Sequence, residues 1–130
     1  MHNSMLLETL LKKVELFYKL AVGNHYPVDT SKIQNILDIY ENFNDQGDRS
    51  ETVEYAIVPL SEIEKKPIWA PEKLEAVKRQ LEEGKSLEPI SLIRTPEKPG
   101  QLLINDGIHR TEASRQIGYT HIPALIHTYH

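Results

Sequence analysis

The chain contains no cysteine. Disulfides, thiolate zinc sites and cysteine nucleophiles are thereby excluded. No apolar run approaches the roughly 20 residues needed to cross a bilayer, and the N-terminus lacks the basic-then-apolar pattern of a secretory signal. The expectation is a soluble, cytoplasmic protein with no membrane partner. Basic charge is not in excess either: 15 Lys and Arg stand against 19 Asp and Glu, for a formal net charge of −4. A protein that coats nucleic acid usually carries the opposite balance, so any nucleic-acid contact must come from a local patch. Internal repeats and low-complexity stretches are also missing. What is present is 130 residues, 39% hydrophobic and 26% charged. That is the profile of one ordinary domain with one core.

Two regions differ in pattern. Residues 1–50 read as an N-terminal helical extension. Leu6, Leu7, Leu10, Leu11, Val14, Phe17, Tyr18 and Ala21 recur at helical spacing, and Gly23 is a stop signal. Thr30 or Ser31 can cap a second helix carrying Ile33, Ile36, Leu37 and Tyr40. A packing hairpin is the expected role of this pair, with a protein-partner surface as the alternative. The polar stretch 42–50, with Gly47, reads as a linker.

Residues 51–130 read as a mixed domain. A strand is predicted over Glu54–Val58 and a helical turn over Leu60–Ile63. A helix opens at Pro71, a residue suited to the first turn, and carries Leu74, Val77 and Leu81 on one face until Gly84. Strands follow at Pro89–Ile93 and Gln101–Asn105, joined by a Pro- and Gly-containing turn. A short helix, His109–Ile117, turns Ala113 and Ile117 inward. The last strand, Ile122–Ile126, contains Pro123 and is expected at a sheet edge. Trp69, beside a Pro-rich loop, reads as a cover over the core, with the lining of a ligand pocket as the alternative, and Glu112 reads as a surface residue. His121, His127 and His130 are spaced six and three apart; exposed histidines explain them better than a metal site.

Chemistry concentrates at Asp106-Gly107-Ile108-His109-Arg110. An apolar strand runs into Asp106-Gly107 and a helix follows. Helix N-termini present unpaired N–H groups and the positive end of the dipole, where an anion is stabilised. Gly107 lets a backbone come close. Arg110 offers a fork matched to two phosphate oxygens, and His109 adds a donor. Asp106 can hold a magnesium ion, orient His109 or Arg110, or act as a base. The plainer reading has Asp106 capping the helix, Gly107 serving a tight turn, and His109 and Arg110 on the surface. Spacing alone does not choose between the two.

From Ile57 to Ile126 the order of segments resembles the ParB N-terminal and sulfiredoxin-like superfamily. VPLSEI leads to a Pro-containing loop, then the helix APEKLEAVKRQLEEG, the strands EPISLI and LLIND, the turn GIHR, and IPALI. The resemblance implies an α+β fold, a small mixed sheet with helices over 51–130. It also implies a nucleotide site for ATP, ADP or CTP, with Mg2+. His109 and Arg110 match the His-Arg with which sulfiredoxins hold ATP phosphates. Lys73, in Ala70-Pro71-Glu72-Lys73, matches the lysine of their D-P-x-K segment. Two hydroxyl residues of that helix are replaced by Ala76 and Gln80.

The departures matter as much. The catalytic cysteine of sulfiredoxins falls at Ile108, so cysteine-dependent sulfinic acid reduction is excluded. The G-E-R-R motif of ParB proteins is retained only at Gly107 and Arg110. ParB proteins continue into a helix-turn-helix domain where this chain ends at His130, so sequence-specific partition by this chain alone is not expected. The free serine kinases have D-G-H-H-R here, four residues of which match, including Asp106. Their catalytic glutamate follows a Lys-Pro pair, whereas Lys66-Pro67 is followed by Ile68-Trp69. Glu62, Glu64, Glu72 and Glu88 do not align with it. Three functions stay open. One is a Mg-dependent phosphotransferase or nucleotide hydrolase using Asp106. Another is a non-catalytic, nucleotide-switched module that binds a protein partner through the N-terminal helices. The third is a ParB-like nuclease.

Overall fold

In a computed structural model, the described residues are Leu7, Thr9, Leu10, 24–45 and 51–130, with backbone alone for 42–45. Leu7, Thr9 and Leu10 are helical; the rest of the first predicted helix, the Gly23 stop and residues 46–50 of the predicted linker lie outside the described residues. The fold is α+β. Helix α1 (Ile33–Asp45) precedes strand β1 (Glu51–Pro59) and a 3-10 turn (Leu60–Glu62). Helix α2 (Pro71–Glu82), strands β2 (Ile90–Arg94) and β3 (Leu103–Asp106), helix α3 (Ile108–Ile117) and strand β4 (His121–Tyr129) follow. The sheet order is β1-β4-β2-β3. β4 pairs antiparallel with β1 and parallel with β2, and β2 pairs antiparallel with β3.

The apolar patterns of the sequence supply the core. Leu74 and Leu81 of α2 are buried with Val77 packed beside them, and Ala113 of α3 is buried with Ile117 against the cluster. On α1, Ile33, Ile36, Leu37 and Tyr40 are the buried or half-buried positions between exposed neighbours, and the helix lies against β1. Its apolar stripe is therefore used in packing. The helix also runs on to Asp45, into the stretch predicted as linker.

One strand departs from expectation. β4 is central, not an edge, despite Pro123. Five successive residues, Ile122–Ile126, are buried, the pattern of a strand covered on both faces. Pro123 stands opposite Ile57 of β1, and the β2 ladder begins one residue later, at Ala124. β2 thus asks no N–H of the proline, which is how a central strand accommodates it.

The segment before α1 is bound to the same core. Tyr26 is fully buried. Val28 forms a parallel bridge with Leu87, and the N–H groups of Thr120 and His121 both donate to the carbonyl of Asn24, at 3.0 Å each.

Candidate functional site

The strand-to-helix turn is shaped by a β-bulge. Ser91 pairs with Asp106 but Leu92 pairs with Ile104, leaving Asn105 as the extra residue of β3. Such a bulge bends a strand and re-aims its end. Asn105 donates to the Ser91 hydroxyl at 3.1 Å, holding the bend. Gly107 follows with φ of +109°, in the left-handed region. A Cβ there would lie 2.7 Å from the Cβ of the fully buried Ile90 and closer still to its Cγ2. Only glycine satisfies both the backbone and the space.

α3 begins at Gly107 as N-cap, with no side chain capping it. Asp106 does not cap: its carboxylate accepts from Arg110 Nη2 at 3.3 Å and is 78% exposed. The first turn of α3 therefore opens with its N–H groups unshielded by any side chain, at the positive end of the dipole. α2 starts nearby at Ala70, again with no side-chain cap and with Pro71 at its first position.

Between the two helix starts lies a cleft of about 420 Å³. Lys73, Asp106, Gly107, His109 and Arg110 all line it, so the five residues singled out from sequence come together on one surface. Lys73, Ala76, Val77 and Gln80 form the α2 wall and Leu87 closes it. A second cleft of about 470 Å³, lined by Lys66, Pro67, Ile104 and Asn105, adjoins the first and shares Trp69, Asp106, Gly107 and Ile108 with it. The Lys66-Pro67 pair thus lies beside the turn.

Trp69 is not a core cover. It is 68% exposed and stands at the partition of the two clefts. The Lys73 ammonium sits 4.6 Å from its ring centroid, within range of a cation–π contact. The His109 ring meets it edge-on, centroids 5.1 Å apart. His109 Nε2 is buried and has no hydrogen-bond partner among the described residues.

Arg110 is more constrained than its sequence position suggested. Its Nη1 donates to the carbonyls of Glu88 at 2.8 Å and Pro89 at 3.1 Å. With the bond to Asp106, three of its five N–H donors are engaged. The Glu88 carbonyl also accepts from the Tyr26 hydroxyl at 2.6 Å. Burial pushes that hydroxyl well above the ordinary tyrosine range, against the opposing pull of the Arg110 guanidinium beside it. Tyr26 and the Glu88–Pro89 carbonyls carry no local sequence signal. Val77, by contrast, lies one helical turn from Lys73, where spacing finds it, while Ala76 and Gln80 are the α2 positions already picked out by the resemblance.

The other candidates stay apart from this site. His121, His127 and His130 are strung along or just beyond β4. A six-residue step on a strand spans about 20 Å, so they do not converge. His127 is half-buried and pairs with Glu51 at 2.9 Å, while His130 contacts Thr52. Glu112 accepts from Gln116 and lies 3.7 Å from Arg115. Among the described residues, no group of three or more His, Cys, Asp or Glu is placed to hold a metal ion, and no helix is long and apolar enough to cross a membrane.

No family model matches the chain, and no curated protein matches it. Solved structures do. A C-terminally truncated chromosome-partitioning protein ParB from Caulobacter crescentus, complexed with CTP-gamma-S, is 22% identical with a TM-score of 0.48, over 56% of this chain and 43% of that one. Free serine kinase in complex with AMP is 24% identical with a TM-score of 0.49, over 56% of this chain and 30% of that one. Sulfiredoxin from Arabidopsis thaliana is 21% identical with a TM-score of 0.48, over 56% of this chain and 83% of that one. The chain thus spans less than half of the ParB and kinase chains.

Proposed function

We propose that the cleft between α2 and α3 binds the phosphate groups of a nucleotide. The observation that carries this reading is the start of α3: a glycine N-cap with no capping side chain, opening on a cleft walled by Lys73, His109 and Arg110. An anion at such a helix start gains about 0.3–1 kcal/mol from the dipole, rising to about 2 kcal/mol when partly buried. Each hydrogen bond to a charged group adds about 1.5–3 kcal/mol. The donors that Arg110 does not spend on Glu88, Pro89 and Asp106 are the ones a phosphate would meet. Lys73, held on the exposed ring of Trp69, supplies a mobile charge on the opposite wall.

Asp106 gives the site a route to metal chemistry. Magnesium is commonly held by one or two carboxylates together with the phosphates of the ligand, and an exposed carboxylate beside the helix start fits that arrangement. A magnesium ion there would neutralise phosphate charge. With it the cleft is read as a Mg-dependent phosphotransferase or nucleotide hydrolase; without turnover it is a nucleotide-responsive binding module. ATP, ADP and CTP are the nucleotides to test.

The experiment is a thermal-shift series with ATP, ADP and CTP, each with and without Mg2+, on the parent and on Arg110→Ala. A ligand that binds only the native state raises the melting temperature. The expected result is a rise of several degrees for at least one nucleotide, much reduced in the variant. No rise with any of the three, or an equal rise in the variant, overturns the site. Steady release of phosphate by the parent separates the enzyme from the module.

A further inference from the structure

Residues 26–32 form a strap across the loop that holds Arg110. The Leu87 N–H donates to the Pro27 carbonyl at 3.0 Å, and the Asp29 N–H donates back to the Leu87 carbonyl at 2.8 Å. The Tyr26 hydroxyl donates to the Glu88 carbonyl at 2.6 Å, and Lys32 pairs with the Glu88 carboxylate at 3.0 Å. The far side of the same loop faces the cleft. Leu87 lines it, and the Glu88 and Pro89 carbonyls fix Arg110 Nη1. One carbonyl, that of Glu88, therefore bonds the strap on one side and the cleft arginine on the other.

We infer that Tyr26 is a positioning residue for the cleft, acting on Arg110 through the Glu88 carbonyl they share. The physical reason is geometric. An arginine on a short helix keeps several rotamers unless its fork is pinned, and losing them on binding costs affinity. Pinning Nη1 on two carbonyls leaves the remaining N–H groups aimed one way. Those carbonyls are only as fixed as their loop. Tyr26, fully buried and 62 residues away in sequence from its acceptor, fixes that loop. The inference rests on the nucleotide reading of the cleft.

A double-mutant cycle tests it, with ATP, ADP and CTP titrated calorimetrically into the parent, Tyr26→Phe, Arg110→Ala and the double variant. Tyr26→Phe keeps the ring and removes only the hydroxyl. It should weaken the best-bound nucleotide about fivefold to tenfold, the scale of one net hydrogen bond, and should weaken it no further once Arg110 is gone. A purely structural role would instead add in full in both backgrounds. Parent-like binding by Tyr26→Phe, or full additivity, overturns the inference while leaving the cleft intact. Parent-like binding by Arg110→Ala overturns the reading of the cleft itself. Amide hydrogen exchange on the unsubstituted protein gives a readout independent of any variant's folding. The bound nucleotide should slow exchange at Leu87 and Asp29, and unchanged exchange there counts against the strap.

Discussion

The two ends of α3 carry the same devices put to different ends. Each is bounded by a glycine in the left-handed region, Gly107 at +109° and Gly118 at +100°. Each holds an arginine whose side chain is less than a fifth exposed and which donates to backbone carbonyls of another segment. Arg110 binds Glu88 and Pro89. Arg115 binds Leu60, Ile63 and Glu64 at 3.3, 3.0 and 3.4 Å. Stability explains Arg115 completely. A cation in the last turn of a helix is favoured by the dipole, and this one ties α3 to the 3-10 turn beyond β1. Arg110 sits at the end where the dipole opposes it, on the same cleft as Lys73 and His109, with Asp106 as its ion-pair partner and no side chain capping the helix. Natural proteins break such local rules chiefly at functional sites. Burial and hydrogen bonding are alike for the two arginines; what differs is the end of the helix dipole at which each sits, and on the nucleotide reading proposed above that is what separates a structural arginine from a binding one.

The sharpest way to break this comparison is at the glycines. Gly107→Ala forces a side chain into the left-handed region and against Ile90, which lies on a central pair of strands. Backbone strain and overpacking together should cost about 3 kcal/mol or more, measured by urea denaturation. A Cβ at Gly118 meets nothing within 4 Å, so Gly118→Ala should lose only about 1 kcal/mol of backbone strain. Equal losses would mean the two turns are equivalent.

The arginines come next. Arg115→Ala strips three carbonyls of a charged donor and should destabilise the fold by about 2 kcal/mol, while nucleotide affinity stays within twofold of the parent. Arg110→Ala should show the reverse emphasis, with affinity falling at least about tenfold. Equal effects on affinity would erase the distinction between the two ends.

The smallest expected effect concerns Tyr26. Its hydroxyl is held neutral by burial, above the ordinary tyrosine value of 10.0. The unfolded chain then releases that proton at lower pH than the native state does. The associated stability is complete below pH 10 and declines as pH rises through and beyond it. Tyr26→Phe should flatten this alkaline decline relative to the parent. An unchanged alkaline limb would show that the buried hydroxyl does not set it.

Much of the fold was legible because it follows local periodicity. Leu74, Val77 and Leu81 announce α2, and the apolar pair of runs on either side of Thr95–Gly100 announces the β2–β3 hairpin. The cleft was legible in residue types too, since Asp106 through Arg110 and Lys73 all line it. Of the two roles open to Trp69, the structure has the pocket-lining one, because only the arrangement of two clefts leaves an aromatic beside a proline-rich loop exposed. Pro123 was misread because the rule against proline in central strands depends on which neighbour needs its N–H, and register decides that.

The sequence by itself determined the order of elements, the strand-to-helix turn at Asp106-Gly107 and the charged residues available to it, since these depend on neighbours within one or two turns of chain. The tertiary structure alone decided that Asp106 leaves the helix start uncapped, that β4 is central, and that Tyr26, Glu88 and Arg110 meet at one carbonyl. The first turns on Arg110, four residues from Asp106 but held in place by Glu88 and Pro89, and the other two join residues tens of positions apart; a pairing at that range is set by how the whole core closes, not by any spacing along the chain.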